Sequence, residues 1–320
     1  MRKGLISILL IISLLFVACG EKESSTSSNA KAFIGGTTGL AVEFIEGEPP
    51  EEVIDGAAML FTTSVKIKNK GEWAIAKENI TLSLKGFDPA DFGLTLTEIT
   101  DVNPDEDILK NDINPDTGNA INSPDVYVTF PTLNFQRVLS GNQEFPFVVD
   151  VCYSYGTLAN SKLCIKENLL DTINDEVCIV SGSKNVENSG GPIQVTGFEE
   201  FTAGQDKVSF TINLEDKGTG KLSALGSSCD QTPANKGVVK ISVDTGLSGL
   251  VCSGLSNSVV SAGTVTAYVG ETKLSTGQKS VRCTQTIAEK SDKIKIVDIT
   301  LEYDYMETIA STVLVKHVVQ

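Results

Sequence analysis

Two stretches, VCYSYGTLANSKLCI at residues 151–165 and LEYDYMETIASTVLV at residues 301–315, decide how this chain reads. They align at a constant offset of 150: Tyr153 falls on Tyr303, Tyr155 on Tyr305 and Ser161 on Ser311. Apolar residues recur at every second place. Phe147, Val149, Val151, Tyr153 and Tyr155 form one series, and Val297, Ile299, Leu301, Tyr303 and Tyr305 the other. A period of two sends alternate side chains to opposite faces of a strand, one face for a core and one for water. Val, Ile, Thr, Tyr and Phe suit that pleated surface.

Working outward, two further matches keep the same order. VKIKNKG (65–71) has the pattern of INLEDKG (212–218): alternating apolar residues, then Asn or Asp, Lys and Gly. Leu40, Val42 and Phe44 answer Ile193, Val195 and Phe198. Three ordered matches argue for two copies of one domain. Copy one is expected at 33–166 and copy two at 191–320. The segment 167–190 between them is read as a linker, because it closes on Asn, Ser and Gly. Gly, Asn and Asp interrupt the strand-like runs at short intervals, as in a sandwich. No long helical period follows residue 18, so helix is expected to be scarce.

The Asn/Asp-Lys-Gly step sits where a strand should turn. Glycine permits positive φ there, and the Asn or Asp side chain supports the turn. The step resembles the immunoglobulin-like modules of prokaryotic surface proteins, notably the adhesion-related CARDB type, in which an apolar strand ends in Asn-x-Gly. The resemblance covers both copies and implies an all-β chain of two tandem immunoglobulin-like β-sandwich domains. It implies no particular ligand. The cysteine–tryptophan–cysteine signature of antibody domains is missing, since Trp73 is the sole tryptophan.

At the N-terminus, Arg2 and Lys3 precede an apolar run from Leu5 to Val17. A spanning helix needs roughly 20 apolar residues. The run therefore reads as a cleavable signal peptide, residues 1–18. Its end, Phe16-Val17-Ala18-Cys19, resembles a lipobox, with Phe16 where leucine is usual. The resemblance implies lipidation at Cys19, and two acyl chains hold a protein at a membrane where one does not. Residues 19–32 then hold the lipidated cysteine and a polar, Ser-rich tether. Membrane lipid, reached through Cys19, is the first expected partner. The expected location is the extracytoplasmic face of the cell membrane or the cell surface.

The chain carries 26 basic and 41 acidic residues, a net charge of −15. Such a surface repels nucleic-acid phosphates and anionic headgroups, so no nucleic-acid partner is expected. A protein or glycan ligand stays open. Seven cysteines are present. With Cys19 assigned to lipid, six remain, and outside the cytoplasm an even set reads as disulfides. Cys152 and Cys164 are placed on the two arms of a hairpin around Tyr-x-Tyr and expected to pair. Their counterparts in copy two are Glu302 and Leu314, so this link would belong to copy one alone. Cys252 and Cys283 flank a strand pair and are expected to join, which leaves Cys178 to tie the linker to Cys229. Six cysteines allow fifteen connectivities.

Four motifs suggest chemistry. Asp112, Asn114 and Asp116 alternate as calcium ligands do. However, Gly118 stands one place late for an EF-hand, and Ser123 occupies the position of its glutamate. The run reads as a solvated acidic loop with calcium as the alternative, and no other cofactor is indicated. SGSK (181–184) has Ser-x-x-Lys spacing without the companion boxes of penicillin-recognising enzymes. GGTTGL (35–40) lacks the Gly-Lys-Ser/Thr ending of a phosphate loop, and GFDP (86–89) reads as a turn with Phe87 packed at the sandwich edge. Asn79 heads an Asn-Ile-Thr glycosylation sequence. His317, the lone histidine, has no visible catalytic partners.

These readings favour a membrane-anchored, non-catalytic binding, adhesion or envelope structural protein. The alternative is a subunit of a larger envelope or secretion-related complex, docking through sandwich edge strands. A carboxylate-based exported hydrolase is third, because Asp and Glu are plentiful.

Overall fold

The alternation in the two opening stretches does build strands, and they extend past both stretches. The computed structural model describes residues 31–170, 177–260, 266–288 and 291–318. The expected signal peptide and Cys19 lie outside them, as does the tether as far as residue 30. The first half carries β1 (Leu40–Phe44), β2 (Glu52–Ile54), β3 (Leu60–Phe61), β4 (Ser64–Asn69), β5 (Ile80–Lys85), β6 (Asp112–Ile113), β7 (Ala120–Ile121), β8 (Val126–Thr129), β9 (Leu133–Asn134) and β10 (Gln143–Ile165). The second carries β11 (Gly182–Lys184), β12 (Glu187–Asn188), β13 (Ile193–Thr202), β14 (Lys207–Asp216), β15 (Lys221–Ser223), β16 (Val238–Asp244), β17 (Leu250–Ser253), β18 (Ser256–Val260), β19 (Ala267–Lys273), β20 (Gln278–Thr286) and β21 (Lys293–Lys316). Helix among the described residues is confined to single turns such as Leu96–Ile99. The fold is all-β and sandwich-like.

β10 and β21 pair antiparallel along the whole 23-residue length of β10, from Gln143 opposite Val315 to Ile165 opposite Lys293. Ser154 lies opposite Asp304, Tyr153 opposite Tyr305 and Tyr155 opposite Tyr303. The stretches that align in sequence therefore lie against each other in reverse direction, about a local twofold centred between Ser154 and Asp304. β5 flanks β10 with Leu82 opposite Val151. β16 flanks β21 with Ile241 opposite Leu301, and β19 and β18 follow outward. The sheet has nine strands, all pairs antiparallel except β2 on the end of β21.

Two further sheets, β1-β4-β8 and β11-β13-β14-β20-β17, complete the layers. One continuous core contains Val65 and Ile67 of the first, Phe210 and Ile212 of the second, and the inward residues of β10 and β21. Leu40 stands opposite Asn69 and Ile193 opposite Asp216. Val42 faces Ile67 as Val195 faces Leu214, and Phe44 faces Val65 as Phe198 faces Ile212, after a bulge between Val195 and Gly197. The residues matched by sequence thus take matching places in the two β-pairs.

The Asn/Asp-Lys-Gly steps also behave alike. Gly71 N–H donates to Asn69 Oδ1 at 3.0 Å, and the Tyr155 hydroxyl donates to the same atom at 3.2 Å. Gly218 N–H and the Tyr305 hydroxyl donate to Asp216 Oδ1 at 3.1 and 3.3 Å. Tyr155 and Tyr305 of the shared sheet thus each pin the turn of a facing sheet. A side chain at Gly71 would collide with the Tyr155 hydroxyl and the Gly190 carbonyl.

The expected hairpin and two of the expected disulfides are corrected. No hairpin surrounds Tyr153 and Tyr155, because β10 runs unbroken through both. Cys152 and Cys164 consequently lie twelve places apart on one strand, on the order of 40 Å at ~3.3 Å per residue, far beyond disulfide reach. The bonds are Cys152–Cys229, Cys164–Cys178 and Cys252–Cys283, with Cα–Cα distances of 5.9, 5.7 and 4.0 Å. Only the last matches the expected pairing; its cysteines face each other across β17 and β20. The end of the expected linker is built into sheets, β12 on β10 and β11 on β13. Residues 32–320 form one compact unit.

Candidate functional site

Side chains at odd positions of β10 and β21 enter the core around the twofold centre, and even positions face outward. The four tyrosines Tyr153, Tyr155, Tyr303 and Tyr305 are fully buried and touch one another edge to face or tilted, at centroid distances of 5.8–6.3 Å. Burial, the largest cause, holds all four phenols above their ordinary range. Asp216 and Glu307 nearby are also pushed up by burial, and Glu307 further by the charge of Asp216.

On the outward side, Ser154, Asp304 and Ser223 form a row across β10, β21 and β15. Asp304 is only 2% exposed although it faces away from the core layer, because the loop after β15 covers it. Asp304 Oδ1 accepts from Ser154 Oγ at 2.8 Å and from Gly226 N–H at 3.1 Å. Ser227 Oγ reaches Oδ2 at 3.5 Å. Ser223 Oγ, next in the row, is buried without a hydrogen-bond partner. The disulfide Cys152–Cys229 ties the covering loop to β10; Ser228 and Cys229 adopt positive φ, 53° and 59°, to make the bend.

Beside this row opens a cleft of about 140 Å³ lined by Glu78, Asn79, Ile80, Thr81, Cys152, Ser154, Gly226, Ser228 and Asp304. Both halves supply walls. Its polar groups are hydroxyls, an amide and two carboxylates, one buried and one exposed. The arrangement is suited to accepting hydrogen bonds. A second cavity of about 240 Å³ lies among Ile165, Leu247 and Ile287, with Lys293 at its edge.

Of the residues singled out by sequence, Cys152 and Asn79 reach the cleft. Asp112 lies in the β6–β7 hairpin and Asn114 and Asp116 in its turn, where Asn114 Oδ1 accepts the N–H groups of Asp116 and Thr117 at 2.9 and 3.1 Å. Among the described residues no group of three or more His, Cys, Asp or Glu is placed to hold a metal ion. Lys184 of SGSK lies 3.3 Å from Glu200 and donates to the Ile179 carbonyl. Glu200 is fully buried and pushed up to about 7 by burial, against the opposing pull of Cys164 N–H and Lys184. Phe87 packs on Phe92 and Phe147, both at 4.5 Å, and Asp88 caps the turn that follows. His317 Nδ1 lies 2.8 Å from Asp55 Oδ2, and hydrogen bonding to His317 is the largest cause holding the Asp55 carboxyl below its ordinary range.

Asp304 and Ser223 were not singled out by sequence. The available signal was an acid at the centre of an alternating run, between Tyr303 and Tyr305, in the column of Ser154. Comparison with protein-family models and with curated proteins finds no match for this chain. Among the described residues no helix is long and apolar enough to cross a membrane.

Proposed function

We propose that this chain is a lipid-anchored extracytoplasmic protein, built from two copies of one immunoglobulin-like sandwich, that acts by binding and not by catalysis. The cysteine count carries the reading. All six cysteines beyond residue 150 are joined in three disulfides, as suits an oxidising compartment. The seventh, Cys19, has no cysteine left to pair with and ends an apolar run after Arg2 and Lys3. The matching places of Leu40 and Ile193, and of Tyr155 and Tyr305, support the duplication. The cleft between the halves is the candidate binding site.

The test is Cys19→Ala with membrane fractionation and metabolic labelling by a fatty-acid analogue. The unaltered chain should take label and sediment with membranes, and the variant should do neither. Equal sedimentation of both, with no label in either, would overturn the anchor. A second reading, as a complex subunit, is favoured by two outer strands of the second half. Val251 on β17 and Val259 on β18 are each 61% exposed, and exposed apolar edges pair with partners. Cross-linking in intact cells should then capture one dominant protein through these strands.

A further inference from the structure

We propose that the cleft at the twofold centre binds a primary ammonium group carried by a small molecule. This rests on the reading of the cleft as the binding site and names the chemistry that the site selects. Asp304 Oδ1 holds two good hydrogen bonds, whereas Oδ2 receives only the 3.5 Å contact from Ser227. A carboxylate offers about four acceptor positions, so Oδ2 keeps capacity for a donor. Glu302, two residues earlier, is met by Lys240 at 2.7 Å. The donors recorded around Asp304, by contrast, are all neutral. Among the described residues the other charge on the wall is Glu78, also negative.

A buried carboxylate beside neutral donors carries a desolvation cost that a cation offsets. An ammonium group brings three donors and no acceptor. Asp304, Ser154, Ser228, Thr81 and Asn79, which all line the cleft, carry side-chain acceptor oxygens. The Cys152–Cys229 disulfide beside the cleft gives a short alkyl stem an apolar contact. The volume of about 140 Å³ holds several water molecules, room for an ammonium group and a short stem. Calcium would require six to eight oxygens, and no group of three or more acids, cysteines or histidines converges here among the described residues.

The experiment titrates the full-length chain, in detergent, with methylammonium chloride at constant ionic strength, read by calorimetry and thermal unfolding. Tetramethylammonium, with the same charge and no N–H donor, is the control, and calcium chloride is a third arm. Methylammonium should bind saturably and raise Tm. Tetramethylammonium should bind at least tenfold more weakly. Asp304→Asn should weaken methylammonium at least tenfold, and so should Thr81→Trp, which fills the cleft and leaves Asp304 in place. Four results overturn the proposal: no saturable methylammonium binding, equal binding of tetramethylammonium, unaltered binding in both variants, or stabilisation by calcium alone. Should Asp304→Asn not fold, Thr81→Trp decides. Failure here leaves the Cys19 anchor intact, since fractionation reads that separately, and loss of the anchor leaves cleft binding measurable in solution.

Discussion

Tyr153 and Tyr305 face each other across the seam, yet their hydroxyls are in opposite situations. Tyr305 donates to Asp216 and accepts from Gly220 N–H at 3.0 Å, whereas the buried Tyr153 hydroxyl makes no well-aligned hydrogen bond and is approached only by the Leu40 backbone N–H. Removing a satisfied hydroxyl strands its partners, and removing one without a well-aligned bond strands little. Tyr305→Phe should therefore cost about 1–3 kcal/mol, and Tyr153→Phe should be neutral or stabilising, as measured by denaturant unfolding. Gly71 makes a second residue-scale prediction. Its neighbours are the Tyr155 hydroxyl and the Gly190 carbonyl, which leave no space for a methyl group. Gly71→Ala should cost about 1–3 kcal/mol through overpacking, with an unchanged m-value. The tyrosines and glycines stood out in sequence by their column and turn position. That Asn69 and Asp216 would receive the Tyr155 and Tyr305 hydroxyls did not, because those residues come from strands of the facing sheets.

Among the elements, β13 and β10 meet through one buried acid. Glu200 of β13 accepts the Cys164 N–H of β10 with both oxygens, at 3.1 and 3.0 Å. Its carboxyl sits near 7 when folded, above the unfolded value of roughly 4.3. The folded state therefore holds this proton more tightly. The contribution is complete below the unfolded pKa and is lost as pH rises through about 7. Unfolding free energy from this group should fall by about 3 kcal/mol between pH 4 and pH 8. Glu200→Gln should flatten that part of the profile, and an unchanged slope would count against the assignment. A strand's existence is written in its own alternation, so β10 and β21 were legible. The contact between β13 and β10 depends on how two sheets stack, and no local pattern records it.

For the whole molecule, the β10–β21 seam is the largest commitment of the chain. Residues 191–320 produced alone would expose the edge of β21 that pairs with all 23 residues of β10. Such an edge is a template for another strand. The twofold relation supplies one, since β21 resembles β10 at offset 150. The isolated second half should therefore associate through β21, as a dimer or larger by size exclusion with light scattering, and mixing it with residues 31–166 should shift it toward a one-to-one complex. A stable, dispersed monomer would show that the seam is dispensable.

By itself the sequence determined that the chain is strand-built, that residues 151–165 and 301–315 match in pattern, and where two turns carry Asn or Asp before Lys-Gly. Each of these follows from a period of two, an internal match or a turn residue, all local in the chain. Tertiary structure alone decided the remaining disulfides, the unbroken course of β10, the antiparallel seam and the burial of Asp304 under the loop after β15, which a disulfide ties to β10. Those features depend on which strands lie side by side and which sheets stack. That choice is made by the burial of apolar faces drawn from distant parts of the chain, a cooperative property that no short stretch contains.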